Sequence, residues 1–156
     1  MNIIYRKINP DIFEEAYQFN LTHEFSFRDS SNLYIPDSEE ERIKKTNRII
    51  EQLNNKDEEK YLCLAAFEED KMIGGIYQNK FTIDNQLACH VHGLWIHSDY
   101  RKRGIAKELK RLGEEWAKHQ ACKFMDSNVR VTNKSMIALN ESLGYEVARF
   151  NFRKKI

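Results

Sequence analysis

Two stretches carry residue types that could do chemistry. "CHVHGLWI" (89–96) sets His90 and His92 two residues apart in an otherwise apolar run. Imidazole titrates near pH 6.5, so either ring could take a proton from a group such as an alkylammonium, whose pKa lies near 10.4. "HSDYRKRGIAKELKRLGEEW" (97–116) sets Arg101, Lys102, Arg103 and Gly104 directly before a helical pattern, with Lys107 one turn in. Ile105, Leu109, Leu112 and Trp116 recur at steps of four, three and four, which is one face of a 3.6-residue period. The residues before them are therefore a helix N-terminus, whose first amides lack intrahelical partners and carry the positive end of the dipole. Cations there each lose roughly a few tenths of a kcal/mol unless an anion offsets them. Glycine lets a bulky anion approach the backbone. Together these features suit a phosphate or pyrophosphate; a solvated basic face is the plainer alternative. The pattern is neither GxxxxGK[ST] nor GxGxxG.

The elements that must hold these residues can be read from pattern. "NIIYRKI" (2–8) predicts a strand, and Asn9-Pro10 an N-cap and first helical position. Ile12, Ala16 and Phe19 predict a helix to about His23, followed by a loop with exposed aromatics over 24–37. Ser38 and Glu41 form a capping box for a second helix with Ile43, Ile50 and Leu53 on its apolar face, and 54–60 is a charged turn. Strands are expected at 61–67, 72–83 and 87–96, with Gly74-Gly75 marking a bulge or a close backbone contact. A helix over 104–119, a strand over 122–129, a short helix over 133–144 and a last strand over 145–152 complete a mixed α/β order. Two-residue alternation sets His90, His92, Leu94 and Ile96 on one face unless a bulge intervenes.

The whole chain bounds these readings. Its 156 residues suit a single domain, 1–156, and its 41% hydrophobic and 31% charged content is that of a globular protein. A net charge of +1 argues against nucleic acid as a main partner. Cys63, Cys89 and Cys122 form no CxxC pair and sit in apolar runs, so they read as free thiols in a reducing cytoplasm, with no metal site expected. No secretory h-region opens the chain and no run approaches the roughly 20 apolar residues of a membrane span, so no membrane partner is expected. The oligomeric state is open, a homodimer included.

"RKRGIA" (101–106) resembles the [RQ]-x-x-G-x-[GA] segment of the GNAT superfamily, the Gcn5-related N-acetyltransferases. "LWIHSDY" (94–100) is similar to that segment's strand-and-turn lead-in, and "NKSMIALNESLGYE" (133–146) resembles the family's second signature, one helix and one strand later. The resemblance is most distinctive over 87–150 and implies a mostly antiparallel central sheet of about six or seven strands, flanked by about four helices and splayed at the cofactor strand. It also implies acetyl-CoA as co-substrate, donating its acetyl group to an amine by direct attack in a ternary complex. The pantetheine arm would lie along Leu94, Trp95 and Ile96, where a backbone N–H could also serve the oxyanion. The pyrophosphate would sit on the amides of Arg103, Gly104, Ile105 and Ala106, with Arg101, Lys102 and Lys107 nearby, and Asn133 would contact the cofactor. The H-x-H pair resembles that of arylalkylamine N-acetyltransferases, which implies a proton relay through His92 and His90; a water chain ending at Glu24 is the rival. Asn140 stands where many members carry a tyrosine that protonates the leaving sulfur. An amide cannot give up that proton, and unassisted departure of a thiol of pKa near 8.5 costs roughly 2 kcal/mol at pH 7.

For the acceptor, Glu24, Phe25, Phe27 and Tyr34 could wall a pocket. Residues 11–29 carry five acids against one arginine, which suits a cationic amine or marks a solvated helix face. A small-molecule amine is the leading acceptor, with aminoglycoside-like amines, polyamines, arylalkylamines and amino acids all open. A protein N-terminus or lysine is the second reading. A CoA-binding module without turnover is the third, kept open by Asn140.

Overall fold

The computed structural model describes residues 2–55 and 59–156. In chain order these form β1 (Ile3–Lys7), α1 (Phe13–Ser30), α2 (Glu39–Asn54), β2 (Tyr61–Glu68), β3 (Lys71–Ile83), β4 (Gln86–Ile96), α3 (Ile105–His119), β5 (Phe124–Ser127) and α4 (Lys134–Ser142). The strands make one sheet in the order β1-β2-β3-β4-β5, antiparallel throughout except for the parallel β4–β5 pair. This is the expected mixed, mostly antiparallel class with four helices, but with five strands. The strand expected over 145–152 is absent: Arg149 reaches Asp126 at 3.0 Å and Tyr145 lies against the Lys110 ammonium at 4.2 Å, yet the segment joins no ladder among the described residues. Phe150 and Phe152 are left 79% and 90% exposed.

Helices cover both faces of the sheet, which explains why "YLCLAAF" is apolar without alternation. Leu62, Leu64 and Ala66 face Ile105, Leu109 and Trp116 of α3. Cys63, Ala65 and Phe67 face Ala16 and Phe19 of α1 and Ile49 of α2. Burial pushes the Cys63 and Cys89 thiols up, and all three cysteines are free.

Local chemistry explains where pattern and structure part. Asn9 does not cap α1; its side chain accepts from the Asp11 N–H at 3.0 Å in an Asx turn, and the helix begins four residues later at Phe13. α1 continues through 24–30, expected as loop, because its buried stripe includes Asn20, Thr22 and Glu24 and so breaks the apolar period. Ser38 caps α2 as expected, accepting from the Glu41 N–H at 3.2 Å. Its inward face is Thr46 and Ile49, with Ile50 and Leu53 beside them, while Ile43 turns to solvent. Residues 56–58 of the charged turn lie outside the described residues.

β3 and β4 each carry a bulge, and both matter. On β3, Ala66 pairs with Gly74 and Phe67 with Met72, so Ile73 is the extra residue beside the glycine pair. On β4, Gln78 pairs with Val91 and Tyr77 with Gly93, so His92 is the extra residue. The β4–β5 ladder runs from Ala88↔Phe124 to Val91↔Ser127 and stops there. Beyond it, residues 92–96 pair with β3 only, which is the expected splay.

Candidate active site

The bulge decides which way the strand's side chains point. Cys89 and Val91 lie in the α3-side core, and after the extra residue so do Leu94 and Ile96. Trp95 and the two histidines take the opposite, α1-facing side. Trp95 packs on Phe25 with ring centroids 5.1 Å apart, and the His90 and His92 rings meet edge to face at 4.8 Å. The histidines therefore do not share a face with Leu94 and Ile96, because one inserted residue reverses the alternation.

Hydrogen bonds assign the protons of both rings. Asn79 donates its Nδ2 to the Lys80 carbonyl at 2.7 Å, so its Oδ1 faces His92 Nε2 as an acceptor. His92 thus carries its proton on Nε2 and leaves Nδ1 basic. His90 Nδ1 donates to Asp126 at 2.6 Å, its direct partner in the β4–β5 ladder. Burial, then the neighbouring His90, hold the His92 pKa below its ordinary 6.5, so its ring is neutral at pH 7. His23 of α1 completes the cluster. A Cβ at Gly93 would stand 2.5 Å from His23 Nδ1, so the bare backbone there is what admits the ring. Tyr77 stacks on His92 at 5.0 Å and meets His23 edge to face at 5.4 Å.

Across the splay lies the start of α3, where the sequence pattern suggests an anion. Gly104 is its N-cap at φ +81°, with no side-chain cap, and a Cβ there would meet nothing within 4 Å. Lys102 is also left-handed at φ 60°, so two such positions flank Arg103 and turn neighbouring amides into a concave nest. Ile105 anchors the turn in the core with half-buried Ala106 beside it, while Lys107 is exposed. Arg101 is engaged elsewhere: its Nε donates to the Ile96 carbonyl at 2.9 Å and its second nitrogen pairs with Asp29. Asp29 also accepts from Trp95 Nε1 at 2.9 Å, tying the end of α1 to β4 and the basic loop. Asn133 caps α4, accepting from the Met136 N–H at 3.2 Å, so a cofactor contact would come from its Nδ2. Asn140 is buried, its Oδ1 without a partner among the described residues.

A cavity of about 440 Å³ opens between α1, α2 and the bulge, and His23, Glu24, Phe27, Tyr34, Tyr77 and His92 are among its walls. Glu24, Phe27 and Tyr34 thus come together as expected; Phe25 does not line it and packs on Trp95 instead. Burial alone would raise the Glu24 pKa, but hydrogen bonds from Arg42, Tyr34 and the Asp37 amide outweigh it and hold it low. Glu24 is an anchored carboxylate, poorly suited to accept a proton. Pattern reading missed His23, Asn79, Tyr77, Asp29 and Asp126. Only Asp126, an acid inside an apolar strand run, offered a signal.

The description "Acetyltransferase (GNAT) family" belongs to a family model that matches residues 20–145. An aminoglycoside N(6')-acetyltransferase type 1 of Acinetobacter genomosp. 13 is 25% identical over 130 residues, covering 79% of this chain and 85% of that protein. Among solved structures, an aminoglycoside acetyltransferase from an uncultured soil metagenomic sample superposes with TM-score 0.75 at 18% identity, covering 100% and 99% of the two chains. Aminoglycoside acetyltransferase AAC(6')-Iy, held with a bisubstrate analog, superposes with TM-score 0.73 at 16% identity over 100% and 99%. At those identities the structural likeness speaks for the fold.

The packing of His23 has a measurable consequence. Burial, then the charge of His92, hold its pKa at about 4 against an ordinary 6.5. Above pH 6.5 the ring is neutral folded or unfolded and contributes no pH dependence. Between 6.5 and 4 the unfolded chain binds the proton first, so stability falls as pH falls, by up to about 3 kcal/mol in all. His23→Leu should flatten the urea-unfolding free energy across that window relative to wild type; equal slopes would remove the assignment.

Proposed function

The chain belongs to the GNAT acetyltransferase family, and from that premise we propose that this site acetylates a primary amine of a small molecule by direct attack within a ternary complex. The enzyme is an N-acetyltransferase and acetyl-CoA is its acetyl donor. One observation carries the assignment of the site. The uncapped, glycine-opened start of α3 and the end of the β4–β5 ladder frame the same segment, and its extra residue is a neutral histidine.

The residues fit the donor. The amides of Arg103, Gly104, Ile105 and Ala106 receive the diphosphate, with Lys102 and Lys107 adding charge. The open space over Gly104 admits it, and the commitment of Arg101 to Asp29 holds the loop's shape. Residues 94–96, unpaired by β5, offer backbone groups to the pantetheine arm. When bound, acetyl-CoA supplies a thioester carbonyl, and a backbone N–H of this segment stabilises the negative charge that develops on its oxygen. His92 Nδ1 takes the proton from the ammonium so that a neutral amine attacks. His92 then releases that proton to solvent, while His90, held by Asp126, steadies the ring through the edge-to-face contact. Asn140 can hydrogen-bond the departing sulfur without protonating it, at the modest cost set by the thiol's own acidity.

Residues 1–156 act as one catalytic domain, consistent with one sheet covered on both faces. No helix among the described residues is long and apolar enough to cross a membrane, and three free cysteines support a cytoplasmic setting. The exposed extended segment with Phe150 and Phe152 supports a homodimer in which a second copy covers it.

Gly104→Glu should abolish coenzyme A binding by calorimetry while costing about 1–2 kcal/mol in stability, the strain of a side chain at that φ. Normal binding by the variant would move the diphosphate elsewhere. The acidic limb of the kcat/KM profile should fall below pH 6.5, because the His92 pKa is depressed. His92→Gln should erase that limb and lower kcat/KM about 100-fold; an unchanged limb would take His92 out of the proton path. Light scattering should find a dimer that becomes a monomer when residues 150–156 are deleted, and a monomeric wild type would end that reading.

A further inference from the structure

The walls of the acceptor cavity carry an unspent positive charge. Its two carboxylates are both committed within the protein. Glu24 accepts from Arg42 at 2.9 and 3.0 Å, and also from Tyr34 and the Asp37 amide. Asp37 accepts from Lys45 at 2.6 Å. The other acids that made residues 11–29 look acidic do not line the cavity; Glu15 pairs with Arg6 and Asp29 with Arg28 and Arg101. Arg48, in the cavity wall, has no hydrogen bond or ion pair among the described residues. Both cavity histidines are neutral at pH 7. An acceptor bearing several ammonium groups would find no free carboxylate here and would face Arg48 unshielded.

Arg48 also stands in register with the chemistry. Gln52, one helical turn further along α2, accepts from the Tyr77 hydroxyl at 2.9 Å, and the Arg48 charge acts on that same hydroxyl. The Tyr77 ring stacks on His92. Arg48, Gln52, Tyr77 and His92 thus share one cavity wall, with the His92 ring over the Tyr77 face. A guanidinium binds a carboxylate or phosphate through two parallel N–H bonds, whereas ammonium groups repel it.

Resting on the acetyltransferase reading of this site, we infer that the acceptor is a small primary amine carrying its own anionic oxygen group, held by Arg48 while its amine faces His92. This departs from the polyamine chemistry that the acidic composition of 11–29 suggested. The cavity, at about 440 Å³, accommodates a small molecule of this kind.

The test compares matched acceptors with acetyl-CoA at neutral pH, following thiol release: an amino acid, its carboxamide, its decarboxylated amine and its aminophosphonate analogue, beside a polyamine and an aminoglycoside. The carboxylate or phosphonate member should exceed its amide at least about tenfold in kcat/KM, mainly through KM, the scale of one charge-assisted hydrogen bond. The better of the two identifies the anion. Arg48→Gln should remove that advantage and Arg48→Lys should retain part of it, since the charge survives without the fork; thermal melts confirm that both variants fold. Acetylation without an anion preference, a preference for the polyamine or aminoglycoside, or an advantage that survives Arg48→Gln would overturn the inference and leave the acetyltransferase standing. Failure of every amine to accept the acetyl group would overturn both.

Discussion

Inserting His92 between the pairs Gln78–Val91 and Tyr77–Gly93 rotates the rest of β4 by one side-chain position. Upstream and downstream the strand still contributes to the same core, because Cys89, Val91, Leu94 and Ile96 all reach α3. At the insertion two consecutive residues point away from that core, and their neighbours supply what each lacks. His92 finds Asn79 and Tyr77, while the bare backbone of Gly93 receives His23. The same place ends the ladder to β5, so the bent strand keeps one paired edge and gains one open edge. One extra residue thus sets both the histidine and the open edge on which the proposed site rests.

The second constraint is the way α1 is anchored. A helix with Asn20, Thr22 and Glu24 on its buried side would be costly if those groups were left unpaired. Glu24 is satisfied by Arg42 of α2 and by Tyr34 and Asp37 of the connecting segment, which closes the cavity over the sheet. Asp29, at the far end of the helix, gathers Trp95 and Arg101. Polar residues inside α1 are therefore the ties that hold it against the site. Their commitment to one another is what gives Arg48 its place in the proposed acceptor site.

At the opposite wall the energetics run the other way. Lys102, Arg103 and Lys107 oppose the α3 dipole and gain nothing from its N-terminus in the absence of an anion. Gly104 offers no side-chain cap and accepts a left-handed φ that other residues resist. The opposed cations and the missing side-chain cap cost a little folding stability, which the proposed diphosphate would restore on binding, so affinity and stability would be linked there.

The sequence by itself determined the class of fold, the helix start at Gly104 and the kind of ligand that suits it, because hydrophobic period, glycine and clustered charge are local properties. It also marked His90 and His92 as candidates for the proton path. It could not say which face they share, since a bulge is decided by the register of a partner strand. It set Arg101 near the diphosphate but could not show that a distant Asp29 pairs with that guanidinium. It left acid over 11–29 open between a cationic acceptor and a solvated helix face, whereas pairing across α1 and α2 commits Glu24 to Arg42 and Asp37 to Lys45. It read 145–152 as a strand from β-forming residues, whereas among the described residues that segment joins no ladder, although β5 stands at the sheet edge. Charge pairing and strand register join residues far apart in the chain, and only tertiary structure decides them.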